Sequence, residues 1–147
     1  MTSPKPSTDT ILSIQPYKAG KSQTGKAGRV IKLASNENPL GPSPKAIAAY
    51  QDAAKSLFRY PDSGHQALRD AIAETYHLPA TNIICGAGSD ELIGLLVQAY
   101  AGPGDEVLYP EHGFLMYKIY ALAHGAQPAE AKETGYKTDV DALLKAV

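Results

Sequence analysis

Residues 83–91 read Ile-Ile-Cys-Gly-Ala-Gly-Ser-Asp-Glu, a short apolar run that empties through two glycines into an acidic first helical turn. Such a junction leaves backbone N–H groups unpaired at the positive end of a helix macrodipole, and Gly86 and Gly88 remove the side chains that would hold an anion away. The junction predicts a phosphate site, and it points to folds in which a strand feeds a crossover helix.

The rest of the pattern agrees with that class. Val30 to Ala34 gives a short strand candidate. Ser43-Pro44 has the chemistry of an N-cap followed by a first helical residue, which predicts a helix from there to about Leu57 with Ile47, Tyr50, Ala54, Leu57 and Phe58 toward a core. A second helix is expected near Ser63, where Ser63 and Gln66 can form a capping box; its stripe is Leu68, Ala71, Ile72, Thr75 and Tyr76, and Pro79 stops it. After a strand at Asn82 to Cys85 comes a helix from about Asp90 to Tyr100, ended by Gly102-Pro103-Gly104. Then follow a strand at Glu106 to Tyr109, a helix at Phe114 to Ala123 closed by Gly125, a weaker strand at Ala126 to Ala131, and an apolar pattern capped by Asp139. Strands alternating with helices imply an α/β fold with a mainly parallel sheet and flanking helices, in which ligands bind beyond the carboxyl ends of strands. Three strands in this region are too few to protect both sheet edges, so the sheet is read as incomplete and the chain as truncated.

Composition narrows the partners. The 147 residues carry a formal charge of -1 and no Lys/Arg run, which argues against nucleic acid or an anionic membrane as the target. No apolar run is long enough for a membrane span, and no signal peptide is evident, so a cytoplasmic protein acting on small molecules is expected. Cys85 is the only cysteine and reads as a small buried hydrophobe. His65, His77 and His124 lack metal-ligand spacing and read as surface or capping residues; no metal is expected.

The phosphate ligand is open from the turn alone. Gly86 and Gly88 match the first two glycines of a dinucleotide fingerprint, but Glu91 stands where the third glycine allows close helix packing. Glu111 could imitate the ribose-binding acid, which keeps a dinucleotide-dependent oxidoreductase as an alternative. No Gly-Lys-Ser/Thr follows the turn, against a P-loop. A non-enzymatic binding module is a third reading.

Four segments taken together resemble pyridoxal-phosphate aminotransferases of fold type I, and most closely the histidinol-phosphate branch of that family. They are Leu33-Ala-Ser-Asn-Glu-Asn-Pro-Leu-Gly-Pro-Ser43, Arg59-Tyr-Pro-Asp62 with Leu68 and Arg69 beyond it, the Gly86 to Glu91 turn, and Gly104-Asp-Glu-Val-Leu-Tyr-Pro110 running into Phe114-Leu-Met-Tyr117. Pro16-Tyr17-Lys18-Ala19-Gly20-Lys21 is similar to the branch's arm motif, with Ala19 departing from it. The resemblance implies an N-terminal arm and first strand over residues 1–42 and an incomplete cofactor-binding large domain over 43–147. It implies that Gly88, Ser89 and Asp90 cradle the phosphate of pyridoxal 5'-phosphate, that Phe114 lies over the pyridine ring, and that Tyr60 reaches the cofactor of a second subunit in a homodimer. It places Tyr17, Asn36 and Asn38 beside the substrate. His112, two residues before Phe114, is a weaker candidate for a cofactor contact. The implied reaction is imidazole-acetol phosphate plus glutamate to histidinol phosphate plus 2-oxoglutarate, in histidine biosynthesis. An aromatic aminotransferase or a phosphothreonine-type decarboxylase would share the same segments.

Transamination needs a lysine amine to hold the cofactor as a Schiff base and to move the substrate proton. None of the chain's eleven lysines has the family's sequence context for that role. By resemblance the Schiff-base lysine lies beyond Val147, so no catalytic residue is assigned and the 147 residues are expected to be inactive alone.

Overall fold

A computed structural model of the chain describes residues 9–18, 31–33 and 35–147. Their contacts divide the chain into two compact units, Met1–Gln15 with Ala67–Val147, and Pro16–Gln66.

In the first unit, β1 (Glu106–Pro110) runs parallel to β2 (Gln127–Ala131), with Glu106 opposite Gln127, Leu108 opposite Ala129 and Pro110 opposite Ala131. A parallel pair cannot be joined by a tight turn. The connection is α4 (Leu115–Ala123), which ends in a Schellman motif: Gly125 takes the left-handed conformation at φ +83°, and the Ala126 N–H donates to the Ala121 carbonyl at 2.9 Å. That sharp exit returns the chain to the sheet, where the Gln127 N–H donates to the Asp105 carbonyl at 2.9 Å. The buried apolar set is Val97 of α3 (Gly88–Tyr100) with Tyr109, Ala121, Ala126 and Ala131. Small residues dominate it, which lets α4 lie close to β2.

Tyr109 is the largest member of this set. Its ring stacks on Tyr117 at 6.0 Å between centroids, and its hydroxyl donates to Glu130 Oε1 at 3.0 Å. Burial, then the hydrogen bond and charge of Glu130, push the phenol up to about 12 from 10.0. A short 3₁₀ turn, Asp9–Ser13, docks on the same unit through the Thr10 hydroxyl, which donates to the Leu122 carbonyl at 2.5 Å.

α2 (Gln66–Tyr76) also ends in a Schellman motif, but with His77 at φ +55° where glycine is the usual choice; the Leu78 N–H donates to the Ala73 carbonyl at 3.1 Å. His77 thus has the capping role expected of it. The helix stops three residues before Pro79. Arg69 ties the following loop back, its Nε and Nη2 donating to the Ala80 carbonyl at 3.1 and 2.7 Å. The chain closes on α5 (Val140–Lys145), capped by the Asp139 carboxylate accepting from the Ala142 N–H at 3.0 Å, as the sequence predicts.

In the second unit, α1 (Pro44–Ala53) begins as expected, with Ser43 Oγ accepting from the Ala46 N–H at 3.1 Å and Pro44 in the first turn, and it tightens into a 3₁₀ turn at Ala54–Ser56. The start of α2 differs from expectation. Asp62, not Ser63, supplies the cap: its two carboxylate oxygens accept from the Gly64 and Gln66 N–H groups at 3.0 and 2.9 Å, and these bonds lower its pKa. A carboxylate accepts two N–H donors at once, which a hydroxyl at position 63 does not match.

Two strand expectations fail. Ile31–Leu33 is irregular, Val30 and Ala34 lying outside the described residues, and Asn82 belongs to a 3₁₀ turn (Ala80–Asn82) with Ile83–Cys85 unpaired beyond it. A strand exists only with a ladder partner, and β1 and β2 pair with each other. The apolar stripes expected to face a core are exposed as well: Tyr50, Leu57 and Phe58 in the second unit, and Leu68 and Tyr76 in the first. The stripes are real in the sequence, but two five-residue strands present too little surface to cover them. Among the described residues no helix is long and apolar enough to cross a membrane.

Two outcomes follow from these caps and cores. Because the native phenol of Tyr109 keeps its proton while an unfolded tyrosine has lost it, stability should fall as pH rises from 10 to about 12. Tyr109→Phe should lessen that fall and remove the last-ionising tyrosine from an ultraviolet titration. His77→Gly should raise amide protection in α2 by about 1 kcal/mol, since glycine adopts the left-handed C-terminal position without the Cβ penalty.

Candidate functional site

The expected phosphate turn is built by two local bonds. Ile83 is extended at φ -111° and ψ 127°, and the chain then turns at Ala87, φ -73° and ψ 57°, with the Gly88 N–H donating to the Gly86 carbonyl at 2.8 Å. These values describe an inverse γ-turn, a tight device common at strand ends. Gly88 follows at φ +82°, and a Cβ added there would meet nothing within 4 Å, so its outer face is open. α3 starts here, two residues earlier than expected.

Glu91 does what the sequence did not disclose. Its Oε2 folds back to accept from the Ala87 N–H at 2.6 Å, and a Cβ on Gly86 would lie 2.6 Å from that same oxygen and 3.1 Å from Leu92 Cδ2. Gly86 thus leaves room for the returning carboxylate, which a side chain there would displace. Glu91, read from sequence as a departure from a glycine fingerprint, is part of how the turn is held. The only sequence signal for it is an acid four residues after Ala87, within a turn of the helix start.

No side chain caps α3 through Ala87. With the Gly88 N–H turned onto Gly86, the Ser89 and Asp90 N–H groups and the Ser89 hydroxyl are the donors left at this helix start. Two N–H groups, one hydroxyl, an open glycine face and the helix dipole suit a phosphate monoester. The fit is carried by the space above Gly88.

Gly94, one turn further along α3, lets α4 approach. A Cβ there would lie 2.7 Å from Cε1 of Tyr120, whose hydroxyl donates to Asp90 Oδ2 at 3.5 Å. Loss of solvent and then the Asp90 charge raise the Tyr120 pKa. This ties the predicted phosphate cup to the helix that carries Phe114. Phe114 is the N-cap of α4 at φ -63° and ψ 128°; its ring, about half exposed, meets Tyr117 edge-on at 6.3 Å. Tyr117 stacks in turn on Tyr109. A groove of about 320 Å³ between α3 and α4 is lined by Ala87, Asp90, Glu91, Gly94, Tyr120 and His124 among others, but by neither Ser89 nor Phe114, so it is not the place of a ring held between those two.

The remaining candidates, except His112, belong to the second unit. Tyr17 and Tyr60 are exposed. Asn36 sits at φ +52°, and Asn38 makes an Asx turn, its Oδ1 accepting from the Leu40 N–H at 3.0 Å while the Gly41 N–H donates to its carbonyl at 3.2 Å. The Asn38 amide is thus engaged by its own turn. His112 accompanies Glu133, with Nδ1 2.9 Å from Oε2. Among the described residues no three His, Cys, Asp or Glu side chains gather as metal ligands.

The sequence profile of the family described as "Aminotransferase class I and II" matches residues 28–147. A curated relative from Ruegeria sp. (strain TM1040), named histidinol-phosphate aminotransferase, is 60% identical over 134 residues, covering 91% of this chain and 37% of the relative. A relative of the same name from Paramagnetospirillum magneticum is 53% identical over all 147 residues and 40% of its own length. Among solved structures, the histidinol-phosphate aminotransferase from Sinorhizobium meliloti in complex with pyridoxal-5'-phosphate superposes with a TM-score of 0.72 at 27% identity, covering 77% of this chain and 31% of that one. The chain spans about two fifths of the curated relatives it matches. With a family match over 120 residues that includes the glycine turn, the helix start behind it and the Phe114 segment, this chain belongs to the class I and II aminotransferases.

Proposed function

We propose that this chain carries the cofactor-anchoring N-terminal part of a histidinol-phosphate aminotransferase. The observation that carries the reading is the open face at Gly88, backed by the Ser89 and Asp90 N–H groups and the Ser89 hydroxyl, within a sequence 60% identical to a relative of that name. In this reading pyridoxal 5'-phosphate, when bound, supplies an electron-accepting pyridinium ring for amino transfer between an amino acid and a 2-oxo acid. The chain's own residues bind and orient. Ser89 and Asp90 hold the phosphate through backbone N–H groups, and the Ser89 hydroxyl adds a charge-assisted bond.

Phe114 presents its ring face to the cofactor, fixing the plane without a phenol. Tyr60 reaches the phosphate of a second subunit, and Tyr17, Asn36 and Asn38 border the substrate. Residues 1–42 serve as arm and 43–147 as the first part of the large domain. Imidazole-acetol phosphate and glutamate are the substrates, a homodimer the working assembly and the cytoplasm its setting. The names of the relatives support amino transfer on a histidinol-phosphate substrate.

Titration of the chain with pyridoxal 5'-phosphate and with unphosphorylated pyridoxal tests the cup. The phosphate ester should bind tighter, and Ser89→Ala should reduce its affinity by about 1–3 kcal/mol while leaving pyridoxal unaffected. Equal binding of the two compounds by the wild-type chain would remove the phosphate assignment. Phe114→Ala should weaken both compounds by about 1 kcal/mol beyond lost contact area, read in the same titrations.

A further inference from the structure

The exits of β1 and β2 are fastened together beyond the ladder. The Glu111 N–H donates to the Ala131 carbonyl at 2.8 Å, and the Glu111 carboxylate accepts from Lys132 Nζ at 2.6 Å and from the Glu133 N–H, contacts that lower its pKa. One residue on, His112 Nδ1 lies 2.9 Å from Glu133 Oε2; a carboxylate only accepts, so this nitrogen carries the proton. The Glu133 side chain is 6% exposed, and the His112 and Tyr136 rings lie 5.0 Å apart between centroids, tilted by 59°. Between the two strands' ends, then, His112 is held by a buried carboxylate on one side and an aromatic on the other.

The same residue sits inside a tight turn, Pro110–Gly113. The Gly113 N–H donates to the Pro110 carbonyl at 2.7 Å, and a Cβ on Gly113 would lie 2.8 Å from that oxygen, so only glycine fits. Phe114 follows at once as the N-cap of α4, and its ring leans on Tyr117. The direction in which Phe114 leaves the turn is set by residues 110–113, of which Glu111 and His112 reach across to the β2 exit, His112 through the buried side chain of Glu133.

We propose that His112 is a positioning residue for Phe114: clasped by Glu133 and Tyr136, it fixes the Pro110–Gly113 turn and thereby the plane that Phe114 offers to an aromatic ligand. His112 itself does not touch that ligand. The inference rests on the reading of Phe114 as the stacking residue, and its two arms separate failure of one from failure of the other.

The first arm needs no ligand. Hydrogen exchange of the full chain should show faster exchange at Gly113 and Phe114 in His112→Ala and Glu133→Ala, with α3 unchanged, and recovery in His112→Asn, whose amide nitrogen takes the place of Nδ1. Unchanged exchange at Gly113 and Phe114 in His112→Ala, or an equal rise throughout the chain, overturns the proposal. The second arm titrates pyridoxal 5'-phosphate into wild type, His112→Ala, Phe114→Ala and the double variant. His112→Ala should weaken binding about three- to tenfold when Phe114 is present and not at all in the Phe114→Ala background, as expected of residues acting through one contact. Equal loss in both backgrounds overturns it. Loss of binding in neither single variant refutes Phe114 as the stacking group, and the exchange arm alone then decides whether His112 sets the turn.

Discussion

Two five-residue strands side by side in the same direction cannot be closed by a hairpin, and this requirement organises everything else in the larger unit. It forces α4 across the sheet, and the Schellman exit at Gly125 brings the chain back in register with β1. Once α4 is placed, its Tyr120 lies on the Gly94 backbone and reaches Asp90, so the helix that follows the glycine turn is positioned by the crossover of the next strand pair. The phosphate-type turn and the Phe114 segment are far apart in sequence but are related through the packing of α4 on α3.

Helix existence was legible from local chemistry. Ser43-Pro44 and Asp139 cap helices where their residue types require, and Gly125 ends one. These signals depend on a few adjacent backbone groups and so survive whatever the rest of the chain does. The strands at 30–34 and 82–85 were not legible in the same sense, because a strand is a relation between two segments and the apolar run states only one of them. The same holds for the stripes of Ile47, Tyr50 and Leu57, whose spacing specifies a face but not what lies against it.

The glycine turn at a helix start was legible in the sequence, but not how it is held. Gly86 and Gly88 were expected to serve one purpose, clearing space for an anion. Their geometry gives them two: Gly88 has the open face, while Gly86 makes room for a carboxylate that returns from Glu91. Asp62 was passed over in favour of Ser63 because the capping-box pattern is defined on a hydroxyl, whereas a doubly accepting carboxylate satisfies two donors from one residue. Tyr120 left no mark in the sequence, since its partner is a glycine on another helix.

The returned Glu91 carboxylate has a further consequence. By occupying the Ala87 N–H it shortens the row of donors along the turn, and the γ-turn withdraws the Gly88 N–H as well. A terminal PO₃ group can be served from one end of what remains. A pyrophosphate bridge, which spreads its charge over two linked phosphorus centres, needs contacts along the whole loop and finds the near half already taken by the protein's own oxygens. The number of donors the turn leaves open is thus set by an acid of its own helix, not by a base.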